Sequence, residues 1–228
     1  MRLLMRWHLS NAAPTLPGMG FTGWPAEALE FYEGLQADNS KSYWTEHKAT
    51  FDNKVHAPMV ALLAELEPEF GAGKIFRPYR DVRFSADKSP YKTAIAATLE
   101  KGGYIQLSAD GLMAGRGMYM MAPDQLARYR EAVASDRAGT ELVRIIEAAA
   151  KEKIRVTGHD QLKTVPRGYP REHPRADLLR NKGLVAWQDW TPAAWLGTRR
   201  AKDRLVKFLH ASEPVADWLR ANVGESSA

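Results

Sequence analysis

The chain has 228 residues, of which 45% are hydrophobic, and it carries a net charge of +5 and no cysteine. This length and apolar content are sufficient for a hydrophobic core without disulfide support. The absence of cysteine excludes disulfides and thiolate chemistry and is typical of a reducing compartment. No apolar run is long enough to span a bilayer, so we expect a soluble, cytoplasmic protein with no membrane partner.

The N-terminal part of the sequence combines an irregular start with two helical patterns. Residues 1–20 hold only a short apolar run among prolines and glycines, and we interpret them as a loose N-terminal extension. Apolar residues at three-residue spacing predict a helix over about 25–36. Asn39 or Ser40 is a suitable N-cap for a second helix, which Pro58 should kink or divide.

The most informative part of the chain follows, because its pattern predicts a charged β-hairpin. Apolar and charged side chains alternate over 76–85, as expected of a strand with one buried face. Asp87 and Pro90 then favour a turn, since aspartate bonds to nearby backbone and proline fixes its own φ. Alternation resumes over 91–99, which predicts the second strand.

One face of the first predicted strand is charged. Alternation places Arg77, Asp81 and Arg83 together on it, with Lys88 and Lys92 near the turn. Arginine presents a planar fork of donors that suits phosphate and carboxylate groups, so this face is a candidate ligand site. The compatible alternative is an ion-pair network that only braces the hairpin, formed by Arg80, Asp81, Arg83 and Asp87.

The rest of the pattern sets the fold class. Asp110-Gly111 lies between two alternating segments and is a strong hairpin signal. Gly115 and Gly117 on either side of Arg116 indicate a bulge or a close approach of another backbone. We therefore predict an α+β fold, with a central antiparallel sheet of at least four strands over about 74–121, flanked by N-terminal and C-terminal helices.

The domain organisation is predicted to be simple. No internal repeat, low-complexity stretch or flexible linker interrupts the chain, so residues 21–222 are expected to form one domain. Residues 223–228 are expected to be a frayed tail. The proline-rich segment 163–182 shows no clear helical or strand periodicity apart from a short helical pattern near its end.

The positive charge is concentrated in two segments. Residues 74–93 hold six basic and two acidic side chains, and residues 163–182 hold the same numbers, so each segment has a net charge of +4. The remainder of the chain has a net charge of −3. Such concentration favours anionic partners over a diffuse solubilising charge.

We expect the two basic segments to form one pocket for a phosphate- or carboxylate-bearing small molecule. The pocket is predicted to contain Arg77, Arg83, Lys88, Lys92, Arg167 and Arg180, with Asp81 orienting an arginine. His173 could act as an acid or base near neutral pH, although a His-Pro pair in a loop is more often conformational. The sequence leaves open both the identity of any cofactor and whether the ligand is turned over.

Two other classes of function use the same features. The basic segments could bind nucleic acid nonspecifically through its phosphates, or the protein could be an interaction scaffold with an exposed apolar patch. The spacing of Trp187, Trp190 and Trp195 fits a buried core better than a base-stacking surface. The histidines show no paired ligand spacing, so no metal site is predicted.

Several of these motifs together resemble one protein family. They comprise the run from Asp81 to Lys92 (DVRFSADKSPYK), the Asn39–Trp44 segment, and the later PRGY, HP and DLLR motifs between residues 166 and 180. This combination resembles domain of unknown function 2461, a family found mainly in bacteria and also in fungi, over roughly residues 19–219. Where the family has two asparagines, this chain has Asp38-Asn39. The resemblance implies a family and no particular reaction, cofactor or ligand.

Overall fold

The N-terminal helices follow the predicted pattern closely. A computed structural model describes residues 20–227, so the predicted extension 1–20 lies outside the described residues except for Gly20. The helices are α1 (Ala26–Ala37), α2 (Lys41–Glu46), α3 (Lys48–Thr50) and α4 (Ala57–Phe70). The Ser40 hydroxyl caps α2 by accepting from the backbone N–H of Tyr43 at 3.1 Å.

A π-helical segment, Phe51–His56, joins α3 to α4 immediately before Pro58. Proline has no N–H to donate to the carbonyl four residues earlier, so Pro58 interrupts the α-helical hydrogen bonds at the start of α4. The predicted disturbance at Pro58 is therefore present, as a widened turn rather than a sharp break.

The sheet has six antiparallel strands in the order β1-β2-β3-β4-β6-β5. Their bounds are β1 (Gly73–Ile75), β2 (Ala94–Leu99), β3 (Tyr104–Ser108), β4 (Gly111–Met118), β5 (Arg155–Thr157) and β6 (Leu184–Trp190). The predicted α+β fold with at least four antiparallel strands is confirmed. Gly111 closes the β3–β4 hairpin at φ 112°, a conformation that favours glycine. The region of Trp187 and Trp190, predicted as core at helical spacing, is strand β6.

The predicted strand over 76–85 is wrong, because β1 ends at Ile75. Residues 76–93 instead form a long loop between β1 and β2, called the signature loop below. Its base continues the strand pairing through one isolated bridge between Tyr79 and Tyr91. Pro78 and Pro90 lie on either side of this bridge, and neither can donate to a ladder, so regular pairing does not extend to the tip.

The C-terminal half supplies the remaining helices. These are α5 (Pro123–Ala134), α6 (Asp136–Lys151), α7 (Ala176–Leu179), a 3₁₀ turn (Ala194–Gly197), α8 (Arg200–Ala211) and α9 (Glu213–Asn222). The residues from 223 onward, expected to fray, hydrogen-bond to α5. Arg128 donates to the carbonyls of Val223 at 2.5 Å and Glu225 at 2.7 Å.

The core lies between one face of the sheet and the helices. Strand residues on that face are buried, among them Ile95, Ala97, Ile105, Leu107 and Leu112. They form one cluster with helix residues such as Leu35, Met59, Leu205 and Leu219. Burying a side chain of this kind stabilises the fold by about 1.5–3 kcal/mol. The packing therefore fixes which sheet face is covered and leaves the other available for contacts with solvent or a ligand.

Candidate functional site

The opposite face of the sheet carries polar and aromatic side chains that are half-buried or exposed; we call it the open face. Strand register aligns one row across it, consisting of Lys74, Thr98, Tyr104, Trp187 and Arg155. A second row consists of Phe76, Gln106, Met113 and Asp189. None of these nine side chains is buried, whereas their neighbours in sequence on the helix side largely are.

Five rings on the open face contact one another in succession, and we call them the aromatic row. The row runs Phe76, Tyr104, Trp187, Tyr119, His159, with centroid distances of 6.4, 6.2, 6.4 and 4.2 Å between neighbours. Gly115 makes room for it, because a Cβ at that position would lie 2.5 Å from the Trp187 ring. Of the two close approaches predicted from the glycines around Arg116, the one at Gly115 is made by a side chain and the one at Gly117 by the backbone of Leu184 and Val185.

Tyr104 and Tyr119 stand nearly perpendicular to the Trp187 ring, at 81° and 86°. The Tyr104 hydroxyl donates to Gln106 Oε1 at 2.6 Å. Burial raises the pKa of Tyr104, and the neighbouring Tyr119 adds to this rise. Tyr104 is therefore a neutral hydrogen-bonding group at the working pH of most proteins. Aromatic surfaces remain accessible at Tyr119, which is 46% exposed, and at Phe76, which is 38% exposed.

The tip of the signature loop is braced by two ion pairs. Arg83 donates to both oxygens of Asp81, at 2.9 Å from Nε and 2.7 Å from Nη2. Arg80 pairs with Asp87, which also accepts from the backbone N–H of Ser89. The bonds from Arg83 lower the pKa of Asp81, and Arg77 contributes less. Both carboxylates are well exposed, so these pairs order the tip more than they stabilise the fold.

Four cations near this loop have no ion pair within residues 20–227: Lys74, Arg77, Lys88 and Lys92. Lys88 donates to the carbonyl of Val82 at 3.1 Å. Lys92 lies over the ring of Phe76, with Nζ 5.4 Å from the centroid. Phe84, at the tip, is 96% exposed. The loop therefore offers cations beside aromatic rings.

The second basic segment lies in the connection between β5 and β6, residues 158–183. Much of its charge is used structurally. Arg175 donates to carbonyls at the end of α5, including Val133 at 2.6 Å, and Arg180 donates to Leu162 at 2.8 Å. His173 accepts from the backbone N–H of Arg175 through Nδ1 at 3.0 Å. The exposed cations of this segment without an ion pair in the described chain are Lys163, Arg167 and Arg171.

The topology separates the two basic loops. The signature loop connects the C-terminal end of β1 to the N-terminal end of β2. Following the antiparallel order, the β5–β6 connection leaves the sheet at the other end and about four strands away, roughly 19 Å at the usual spacing. Asp81 lies with Arg77, Arg83, Lys88 and Lys92 in one loop, and His173 with Arg167 and Arg180 in the other. Strand order and direction therefore anchor these two groups at opposite ends of the sheet.

The sequence signal for the open face was present but weak. Tyr104 and Trp187 alternate with buried residues along their strands, as outward-facing positions do. Their meeting depends on strand order, because β6 follows β4 in the sheet despite 65 intervening residues, and local spacing does not show this.

Residues 20–227 hold no group of three or more His, Cys, Asp or Glu placed to bind a metal ion. They also contain no helix that is both long and apolar enough to cross a membrane.

Three comparisons place this chain among known proteins. A search of curated proteins finds no match. A solved structure of a conserved hypothetical protein from Pyrococcus furiosus is similar at 12% identity and a TM-score of 0.36, covering 75% of this chain and 98% of that one. A family model described as conserved hypothetical protein (DUF2461) matches residues 27–218. The chain therefore belongs to the DUF2461 family, as the motifs around Asp81–Lys92 indicated.

Proposed function

We propose that this protein binds single-stranded nucleic acid along its open face, with bases stacked on the aromatic row. The observation that carries the proposal is the succession of ring contacts from Phe76 to His159 on a sheet face with half-buried or exposed side chains. Stacking of a base on an aromatic side chain contributes about 1–3 kcal/mol and tolerates any base. An open sheet face of this kind suits a flexible strand better than a small molecule, which needs a concave site.

The charges at the two ends of the aromatic row support a polymer. Lys74, Arg77 and Lys92 lie near Phe76, and the β5–β6 connection, which contains His159, carries Arg167 among its exposed cations. A small ligand could reach only one of the two basic loops, because they leave opposite corners of the sheet. A strand crossing the open face passes both, and each phosphate contact releases counterions and adds to affinity.

The test is fluorescence anisotropy with a labelled single-stranded oligonucleotide of about 12 nucleotides, within the usual range for such surfaces. At about 50 mM salt we expect binding that weakens steeply as salt rises. Tyr119→Ala should lower affinity at least about fivefold through lost stacking. Tyr79→Ala is the matched control, because Tyr79 is 51% exposed but contacts Trp44 and Tyr91 and lies outside the aromatic row.

Three results would contradict the proposal. Absence of binding to DNA and RNA at low salt removes it altogether. Binding that Tyr119→Ala and Phe76→Ala leave unchanged would mean phosphate attraction without stacking. Equal affinity for double-stranded DNA would also argue against it, because paired bases cannot stack on the rings.

A second candidate function is retained for one observation: Asp81 holds the guanidinium of Arg83 in a fixed orientation within a loop that also carries Arg77. An oriented guanidinium suits a small phosphate- or carboxylate-bearing ligand. The same anisotropy titration distinguishes this small-ligand function from nucleic-acid binding. A mononucleotide that binds as tightly as the oligonucleotide, with affinity lost in Arg77→Ala and kept in Tyr119→Ala, would favour this smaller ligand.

A further inference from the structure

A groove of about 350 Å³ lies on the helix side of the sheet, away from the open face. Its walls are the turn that follows α6 and one side of α8, and its floor is the end of β6. The volume is within the range of small-molecule sites. None of its lining residues belongs to the signature loop or to the aromatic row, so it is a separate feature of the molecule.

The lining of the groove is basic. Four cations, Lys151, Lys153, Arg204 and Lys207, face one carboxylate, Glu152. Glu152 is already paired with Lys207 at 2.8 Å. Arg204 lies over the ring of Trp195 at 4.5 Å, which leaves its N–H donors available. Lys151 and Lys153 have no ion pair among the described residues. The groove therefore retains an excess of positive charge.

The floor of the groove is aromatic and apolar. Trp190 is half-buried and stands edge-on to the buried Phe208, with centroids 6.2 Å apart. Ile154 and Ala211 complete the apolar lining, and Gln188 adds one polar side chain. A ligand with an anionic head and a planar apolar body would meet complementary surfaces at both ends.

Lys153 has a backbone conformation that is unfavourable for lysine. It is the one non-glycine residue with positive φ, at 62°, within residues 20–227. It ends α6 in the left-handed conformation in which glycine is usual, with the N–H of Ile154 bonded to the carbonyl of Ala149. Glycine ends a helix at such a position with less strain, so the lysine side chain at the groove carries a conformational cost.

From the charge, the aromatic floor and the strained lysine, we infer that this groove binds a small phosphate-bearing ligand with an aromatic body. Lys153 contacts the phosphate together with Lys151 and Arg204, and the ring packs on Trp190. The alternative role of these lysines is to offset the negative charge at the C-terminal end of the α6 dipole. A role limited to that dipole would appear in stability and not in binding, so binding is the deciding measurement.

The experiment is calorimetric titration of the full chain with phenyl phosphate, inorganic phosphate and benzyl alcohol at matched ionic strength. Phenyl phosphate should bind most tightly, because only it has both parts. Lys153→Gly should lower its affinity about fivefold, as expected for one lost charge contact near 4 Å at an exposed site. The same variant should raise Tm by about 1–4 °C, because glycine relieves the positive φ.

Lys163→Gly is the matched control, because Lys163 is an exposed lysine of the β5–β6 connection, outside the groove. It should leave phenyl phosphate binding unchanged. Lys207→Gln provides a second variant, which should also weaken binding because it leaves the Glu152 carboxylate unpaired in the groove. Unchanged affinity in both groove variants, or equal affinity for phenyl phosphate and inorganic phosphate, would overturn the inference. Neither outcome bears on the open face, since oligonucleotide binding is measured separately.

Discussion

Arg116 shows how a single buried charge can join distant parts of the chain. Its side chain is 4% exposed and donates to the carbonyls of Leu209 at 3.0 Å and Lys101 at 3.3 Å. It also pairs with Glu213 at 2.6 Å. Burial lowers the pKa of Arg116, and the charge of Glu213 opposes this shift. One strand residue therefore holds the β2–β3 turn and the junction between α8 and α9.

Replacing Arg116 by methionine should strongly destabilise the fold. The change keeps much of the volume but leaves Glu213 without its buried partner and two carbonyls without donors. The two carbonyls lose their donors at a cost of about 1–3 kcal/mol, whereas Glu213, which is 38% exposed and also pairs with Arg220, contributes less. Urea unfolding measures this change. Arg220→Met is the control, because Arg220 pairs with the same Glu213 from a side chain that is 58% exposed, and it should cost about 0–1 kcal/mol. Equal losses in the two variants would contradict a special role for burial.

At the scale of elements, Asn39 and the ring of Trp44 attach the signature loop to the N-terminal helices. Asn39 Nδ2 donates to the carbonyl of Tyr91 at 3.1 Å, and the N–H of Tyr91 donates to Asn39 Oδ1 at 3.0 Å. Asn39 thereby replaces a missing strand partner at the base of the loop. The Tyr91 ring stacks on Trp44 at 4.4 Å and 6°. The orientation of the loop thus depends on the segment that precedes α2.

Asn39→Ala should release the base of the signature loop. The change leaves both backbone groups of Tyr91 without these partners, at a cost of about 1–3 kcal/mol. We expect faster proteolysis within residues 77–90 and a lower urea midpoint. Asp38→Ala is the matched control, because the adjacent Asp38 side chain is exposed and makes no hydrogen bond in the described chain. If both variants are cleaved at the same rate as the parent protein, the attachment does not depend on Asn39.

The same elements show which features follow from sequence. Asp110-Gly111 specifies its turn locally, and the alternation at Ile95 and Ala97 correctly assigns their buried face. The strand over 76–85 fails because two prolines remove donors, which alternation of side chains does not register. The expectation of a single pocket goes beyond residue spacing for a different reason. Whether two loops meet is decided by strand order and direction, and these depend on tertiary packing rather than on residue spacing.

At the scale of the whole molecule, Glu65 on α4 joins three regions that are far apart in sequence. It accepts from the backbone N–H of Phe21 at 2.7 Å, pairs with Arg199 at 3.1 Å, and pairs with Lys202 of α8. The hydrogen bond from Lys202 is the largest cause of a lowered pKa for Glu65, and the Phe21 N–H adds to it. The packing of the first described residues against α8 is therefore sensitive to the charge on one carboxylate.

This arrangement predicts a specific loss of stability in acid. A carboxyl whose pKa is lower in the folded state stabilises that state above its unfolded pKa of about 4.3, and the contribution disappears as pH falls through the folded value. Glu65→Gln should therefore be less stable than the parent protein at pH 7, and the difference should shrink below about pH 4. Urea unfolding across this range measures the difference. Glu67→Gln is the control, because Glu67 lies exposed on the same helix without an ion pair among the described residues. A constant difference in stability between Glu65→Gln and the parent protein down to about pH 2, well below the unfolded pKa, would contradict this prediction. Lost packing, and not the carboxylate charge, would then account for the effect.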